Sequence, residues 1–294
     1  PSDHLESARS EKRRRHPPLP AANSGREIVL QGTVISSADN KPIVGVSVYV
    51  EGTTVGATSD INGNYTLKVP AGTKHVTFAF LGYDTKKIAV VAANGRVGSL
   101  VVAEAVRRGF DVTAIARSAN RTQAQHFLQG DALALTREQL EGFDAVVDAV
   151  GGWTKETLHL VPDAVEHLAK VLAGTNVRLL VVGGAGSLFV NPEHTMTLAQ
   201  TPDFPDAFKG VASEVQRSLD FLRTCDVVRW TYVSPAADFQ AEGERTGAYT
   251  LAGEELTPNE KSESVISYAD YAIAMVDEVE SGNHIRERIS VVSK

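Results

Sequence analysis

The sequence predicts an α/β fold, a parallel sheet with helices on both faces, preceded by a small all-β sandwich. Three observations carry this expectation. Residues 27–83 alternate apolar and polar positions with period two between closely spaced turn signals. From Lys86 onward, continuous apolar runs of strand length alternate with stretches of helical period. Three of those runs end in glycine-containing turns, at 92–98, 149–152 and 183–187.

Length and composition set the bounds. A chain of 294 residues has room for one domain of about 200 residues and a smaller partner. With 43% hydrophobic and 22% charged residues, the balance is that of a globular protein able to bury a core. A formal net charge of -7 disfavours general affinity for phosphate backbones, so nucleic acid is not an expected partner. Cys225 is the single cysteine, which rules out an internal disulfide and a cysteine-rich zinc site and suits a reducing compartment. No apolar run approaches the roughly 18 residues of a membrane span, and Pro1 to Pro20 lack the apolar stretch of a signal peptide. The expectation is a soluble, cytoplasmic protein. Residues 1–25 combine Lys12, Arg13, Arg14, Arg15 and His16 with Pro17, Pro18 and Pro20, a self-repelling composition that predicts a disordered tail.

Residues 26–85 are assigned to the sandwich. Val44, Val46, Val48 and Val50 are expected on one strand face, and Val76, Phe78 and Phe80 on another. Turn signals fall at Asp39-Asn40-Lys41-Pro42, Glu51-Gly52, Asp60 to Asn64 and Pro70-Ala71-Gly72. Asp60, Asn62 and Asn64 have the spacing of calcium ligands, but the glycine is misplaced and no bidentate glutamate follows at the required distance, so a tight turn is expected. Through Gly32-Thr33-Val34, Pro42 to Val46, Glu51-Gly52-Thr53, Ser59 to Tyr65 and Phe80-Leu81-Gly82-Tyr83, the segment resembles the carboxypeptidase regulatory-like, transthyretin-like domain of SusC/RagA-type TonB-dependent receptors. The resemblance implies a binding or spacer module without catalysis, of a kind found in exported proteins.

The junction poses a conflict. The sandwich family would use the segment around Lys86 to Val91 as its closing strand, and the α/β domain would use it as its first. Ile88, Ala89, Val90 and Val91 form a continuous apolar run followed at once by a glycine turn, which suits a parallel strand buried on both faces. The strand is therefore assigned to residues 86–294, leaving the sandwich a strand short or with an open edge. Such an overlap is what a recent fusion, an engineered chimera or a gene-model error would produce.

After that strand come Ala92-Ala93-Asn94-Gly95-Arg96-Val97-Gly98 and then helical apolar spacing at Val97, Leu100, Val101 and Ala105. Strand, glycine turn and helix in this order form a Rossmann-type dinucleotide site. A pyrophosphate lies over free backbone N–H groups at the helix N-terminus, where a side chain at Gly95 would obstruct it, and Gly98 allows close packing of helix on strand. Ala92 replaces the first glycine of the usual fingerprint. The second strand, Asp111 to Ala116, ends at Arg117, where a site selective for NAD would place an acid. Arg117, with Arg96 nearby, favours a 2′-phosphate, hence NADP over NAD. The strands Phe143 to Val150 and Val177 to Val182 end in the other two glycine clusters, so all three should converge at one crevice on the C-terminal edge of the sheet.

Ala93 to Gly98, Gly130-Asp131-Ala132, Gly183 to Leu188, Thr201 to Pro205, Trp230 to Ala236, Gly243 to Gly247 and Ile266 to Ala272 together resemble the NADH-flavin reductases among the atypical, NmrA-like short-chain dehydrogenase/reductases. The resemblance implies hydride transfer from NAD(P)H to a flavin (FMN or FAD), quinone or similar planar small-molecule acceptor. It places Asp131 on the adenine side, Val150 and Gly151 along the adenosine and diphosphate, Gly184 in the third glycine turn, and Glu244, Arg245 and Thr246 in a substrate-side loop. For proton transfer, extended short-chain reductases use a Tyr-x-x-x-Lys pair and a serine. Ser187 fits the serine position. The only such pair here, Tyr83 to Lys87, precedes the nucleotide turn, and the family's Tyr-Lys position holds Phe208-Lys209. Ser187 and Lys209 are thus the catalytic candidates; the alternatives are hydride transfer without a tyrosine acid and a catalytically inactive NADP-binding sensor. A third reading makes the sandwich a receptor-associated binding module. His159, His167 and His194 lack metal-ligand spacing, and alternation of Trp230 and Tyr232 on a strand favours the core over the acceptor pocket.

Overall fold

The structure, a computed structural model, describes residues 27–36, 40–80 and 86–294. The predicted tail at 1–25, Asp39 and Tyr83 lie outside the described residues. The chain divides into two compact units, Pro1–Tyr83 and Asp84–Lys294.

In the first unit, β1 (Glu27–Thr33) pairs antiparallel with β4 (Asn64–Pro70), and β2 (Ser47–Tyr49) lies between β3 (Gly56–Thr58) and β5 (Thr77–Ala79). Val46, Val48, Leu67 and Val69 form its buried centre. Val44 does not share their face: Gly45, at φ +85°, breaks the alternation, and Val44 is exposed. Phe78 is likewise exposed, whereas Val76 and Phe80 pack on the core. The 60–64 segment is a tight turn in which Asp60 Oδ1 accepts the N–H groups of Asn62 and Asn64 at 2.8 and 2.9 Å.

In the second unit, β6 (Lys87–Val91), α1 (Arg96–Arg107), β7 (Asp111–Ala116), β8 (His126–Gln129), α2 (Arg137–Leu140), β9 (Ala145–Asp148), α3 (Leu160–Leu172), β10 (Arg178–Val182), α4 (Asp206–Arg223), β11 (Arg229–Ser234), β12 (Asp238–Gln240), β13 (Tyr249–Ala252), β14 (Val265–Ser267), α5 (Tyr268–Ser281) and β15 (Glu287–Ser293) follow in order. An eight-stranded sheet runs β13-β15-β11-β10-β9-β6-β7-β8. Its strands are parallel except for β13, antiparallel to β15 at one edge. The contested strand β6 is central, paired with β7 and β9 on its two sides. Its side chains alternate between two cores. Ile88 and Val90 pack with α1 and α5 on one face, and Ala89 and Val91 with α3 and α4 on the other, which is why the run is apolar throughout. Sheet order reverses between β6 and β9, and open parallel sheets bind ligands at such a point.

On the first face, α1 and α5 are joined by charge. Glu104, buried on α1, accepts Arg107 Nη2 at 2.6 Å, Arg108 Nε at 2.8 Å and Arg245 Nη2 at 3.1 Å, and Arg108 reaches Asp277 Oδ1 of α5 at 2.5 Å. Burial opposes the Glu104 charge, but the hydrogen bonds from Arg107 and Arg108 prevail and hold its carboxyl down at about 2. A carboxyl held below its unfolded value of 4.5 contributes stability that is complete above that value and lost as pH falls toward 2. Glu104→Gln is therefore expected to lower the unfolding free energy at pH 7 by about 2 kcal/mol. Urea melts of variant and wild type should converge as the pH is lowered toward 2.

Candidate functional site

The C-terminal edge of the parallel strands opens into a crevice of about 1010 Å³. At the end of β6 the chain turns sharply, with Ala92 in the left-handed region at φ +58°. The Ala93 N–H donates to Ile115 O at 3.1 Å, which ties the turn to β7, and the Gly95 N–H donates to Ala92 O at 2.8 Å. Gly95 then caps α1 without a side-chain bond, and the N–H groups of Arg96 and Val97 have no acceptor among the described residues. Those two amides, with the positive end of the helix behind them, make an anion site facing the crevice. The Gly95 amide is already used in closing the turn.

The predicted cofactor residues divide by where the turn sends them. Asn94, Gly95, Arg96, Val97, Arg117, Asp131, Val150, Gly151 and Gly184 all line the crevice. Ala93 and Gly98 do not: Ala93 is buried against α1, and Gly98 lies so close to the turn that an added Cβ would come within 2.6 Å of Ala92 O. Their part is to let the helix seat on the strand. Asn94 acts through the next loop, since Nδ2 donates to Ala119 O at 2.9 Å and Oδ1 accepts the Arg121 N–H at 2.9 Å. This clasp brings Arg121 to the crevice beside Arg117 and Arg96, and none of the three guanidinium groups has an ion-pair partner among the described residues. Asp131 Oδ1 accepts the Leu133 N–H at 2.9 Å, fixing the turn at the same end.

Just before the Ala149–Gly152 part of the lining, Asp148 ends β9 fully enclosed. Burial pushes its carboxyl up to about 7, only partly opposed by the Val150 N–H that Oδ1 accepts at 3.0 Å. Beyond it the lining turns apolar. Trp153, Leu160, Val161, Phe204, Phe208 and Ala212 line this end, and Tyr268 at the start of α5 closes one side. The Tyr268 ring packs on Phe239 at 4.1 Å between centroids, and its hydroxyl has no hydrogen-bond partner among the described residues.

Ser187 and Lys209 are not brought together. Ser187 is buried, and its Oγ accepts Arg288 Nη1 at 3.2 Å; Arg288 in turn pairs with Glu254. Neither Ser187 nor Lys209 lines the crevice. Lys209 Nζ pairs with Asp206 Oδ1 at 2.6 Å and borders a separate cavity of about 440 Å³. The α4 positions that do line the crevice are Phe208, Val211, Ala212 and Val215, and none can carry a proton. Arg245 and Thr246, expected beside the substrate, are held by Glu104 and Asp270 and lie outside the crevice lining. Trp230 and Tyr232 are core residues.

Arg121, Trp153 and Tyr268 escaped the sequence reading. Trp153 had a usable signal, an aromatic directly after Gly151-Gly152 at the end of a parallel strand. Arg121 depends on the Asn94 clasp and Tyr268 on the docking of α5.

Two family models match the chain, one described as NAD(P)H-binding over residues 92–280 and one described as a CarboxypepD_reg-like domain over residues 30–107. The YwnB protein of Bacillus subtilis is 43% identical over 211 residues, covering 71% of this chain and 99% of YwnB. The crystal structure of a Streptococcus pneumoniae protein provisionally named an NADH-flavin reductase is 53% identical, with a TM-score of 0.70, over 71% of this chain and 100% of that one. The TonB-dependent receptor P3 of Formosa agariphila is 43% identical over 63 residues, 21% of this chain and only 6% of the receptor.

Asp148 generates a pH dependence. Its folded value of about 7 lies above the ordinary 3.8, so its contribution is complete below the latter and lost as pH rises through the former. Asp148→Asn keeps an acceptor for the Val150 N–H and removes the buried charge. The variant is expected to melt at a higher temperature than wild type at pH 8, with the gap closing only as the pH falls toward 3.8, in paired thermal melts across that range.

Proposed function

The chain is a member of the NAD(P)H-binding family, and from that premise we propose that it is an NADPH-dependent oxidoreductase that reduces a flavin, a quinone or a similar planar acceptor. The observation that carries the proposal is the division of one crevice into a cationic, amide-lined end and an apolar end. The donor set suits the cofactor: the Arg96 and Val97 amides can take the diphosphate, and Arg117, Arg121 and Arg96 a 2′-phosphate. The name of the pneumococcal relative supports the acceptor class.

A bound nicotinamide supplies a hydride with its electron pair, the acceptor receives it, and one proton from solvent balances the reduction. What this chain contributes is position. The glycine turn grips the phosphates, the Asn94 clasp fixes the arginine loop, and the apolar walls hold the acceptor against the reduced ring and strip water from the contact. A proton-transfer pair on α4 is not required for this chemistry. Phenylalanine at 208, where the family's Tyr-Lys position would hold a tyrosine, favours a second reading, an NADP-binding sensor without turnover. We place the enzyme in the cytoplasm, where NADPH is held; no helix among the described residues is long and apolar enough to cross a membrane.

Purified protein with NADPH and a panel of FMN, FAD and quinones is expected to consume cofactor faster than protein-free controls. Tight NADPH binding without turnover would establish the sensor instead, and no binding of either dinucleotide would remove both readings. In calorimetry, the double variant Arg117→Ala/Arg121→Ala should weaken NADPH by about tenfold or more while NADH changes little. Equal losses for both cofactors would sink the assignment of these arginines to the 2′-phosphate.

A further inference from the structure

Trp153 is 72% exposed and Phe208 is 50% exposed, yet both line the crevice. Neither ring stacks on another aromatic ring among the described residues. Large aromatics left open in a concave site are surfaces that a ligand can cover. The Trp153 backbone is fixed. Its N–H donates to Thr157 Oγ1 at 3.2 Å, the Thr154 N–H donates to the same oxygen at 3.0 Å, and Thr157 N–H returns to Thr154 O at 2.8 Å. The indole Nε1 lies over Gly151, where a Cβ would stand 3.4 Å from it. The ring therefore sits beside the cofactor-side loop with its support rigid and its surface open. Phe208 joins it from the neighbouring wall, because Leu158 packs on Gly210 in the same part of α4.

Charge is distributed just as unevenly. Arg96, Arg117, Arg121 and Asp131 line the opposite end of the crevice, while Leu160, Val161, Phe204, Val211 and Ala212 surround the two aromatics. No lysine or arginine lines that end to fix a phosphate.

We propose that Trp153 and Phe208 form the stacking platform of the acceptor subsite, and that this subsite takes an uncharged flat ring system, a quinone or a dephosphorylated isoalloxazine, with no pocket for an anionic tail. The proposal rests on the oxidoreductase reading for its biological sense, but stacking itself is measurable without turnover. Affinity comes from ring overlap on a pre-formed surface, and selectivity from the absence of a cation.

The chain has two tryptophans, Trp153 and the buried Trp230, so emission reports directly on the platform. With NADP present, titration of wild type with menadione or riboflavin is expected to quench the exposed-indole emission saturably. In Trp153→Phe the remaining signal from Trp230 should be insensitive to either ligand. In steady-state assays, Trp153→Ala and Phe208→Ala should each raise the acceptor KM by about tenfold and leave the NADPH Kd within about twofold, and Trp153→Phe should keep a KM close to wild type. Riboflavin and FMN should be used with kcat/KM values within about threefold of each other. Quenching that survives in Trp153→Phe, an NADPH Kd that rises in step with the acceptor KM, or a preference for FMN of more than about tenfold would each overturn the proposal. Saturable quenching in wild type with no turnover on any acceptor would retain the platform and discard the reductase.

Discussion

The carbonyl of Ala92 is the point on which the α/β unit turns. It accepts the Gly95 N–H and leaves no room for a side chain at position 98, so the first turn of α1 must sit directly on the end of β6. Helix position decides where the unpaired amides of Arg96 and Val97 aim, and hence where a diphosphate can rest. The turn holds this geometry with Ala92 itself in a left-handed conformation, a strain of about 1 kcal/mol or more for a residue with a Cβ. A backbone constraint of three residues thus sets the address of the whole crevice.

From that address the two ends acquire different chemistry. One end collects guanidinium groups that have no carboxylate partner among the described residues, with the loop that carries Arg121 held by the clasp from Asn94. Elsewhere the unit spends its arginines on acids: Arg178 with Glu278, Arg288 with Glu254, and Arg107 and Arg108 with Glu104. Unneutralised charge is concentrated where an anionic ligand is expected, and apolar surface is concentrated at the other end. Behind the Ala149–Gly152 lining, Asp148 is fully enclosed, and that burial raises its carboxyl to about 7.

How much of this the sequence disclosed depends on the range of the interactions involved. The run Ile88 to Val91 and the glycine turn after it are local signals, and they located the central strand, the first helix and the Asn94 to Val97 part of the crevice lining. Roles that depend on partners far along the chain were hidden. Ser187 follows a glycine cluster as a catalytic serine would, but Arg288, 101 residues away, takes its hydroxyl. Lys209 stands one residue from Phe208, and on a helix that is about 100° of rotation, enough to put one in the crevice and the other against Asp206. In the sandwich, period-two reading failed at Val44 because Gly45 bends the chain before the short strand begins.

The segment Lys87–Val91 has one further meaning, for the order of events as the polypeptide is made. It falls inside the stretch matched by the CarboxypepD_reg-like model, yet its final neighbours on the sheet begin only at Asp111 and Ala145. During synthesis it emerges after the sandwich strands and ahead of its own sheet neighbours. Any pairing with the sandwich strands before Asp111 to Asp148 is available would have to be undone before the parallel sheet could assemble.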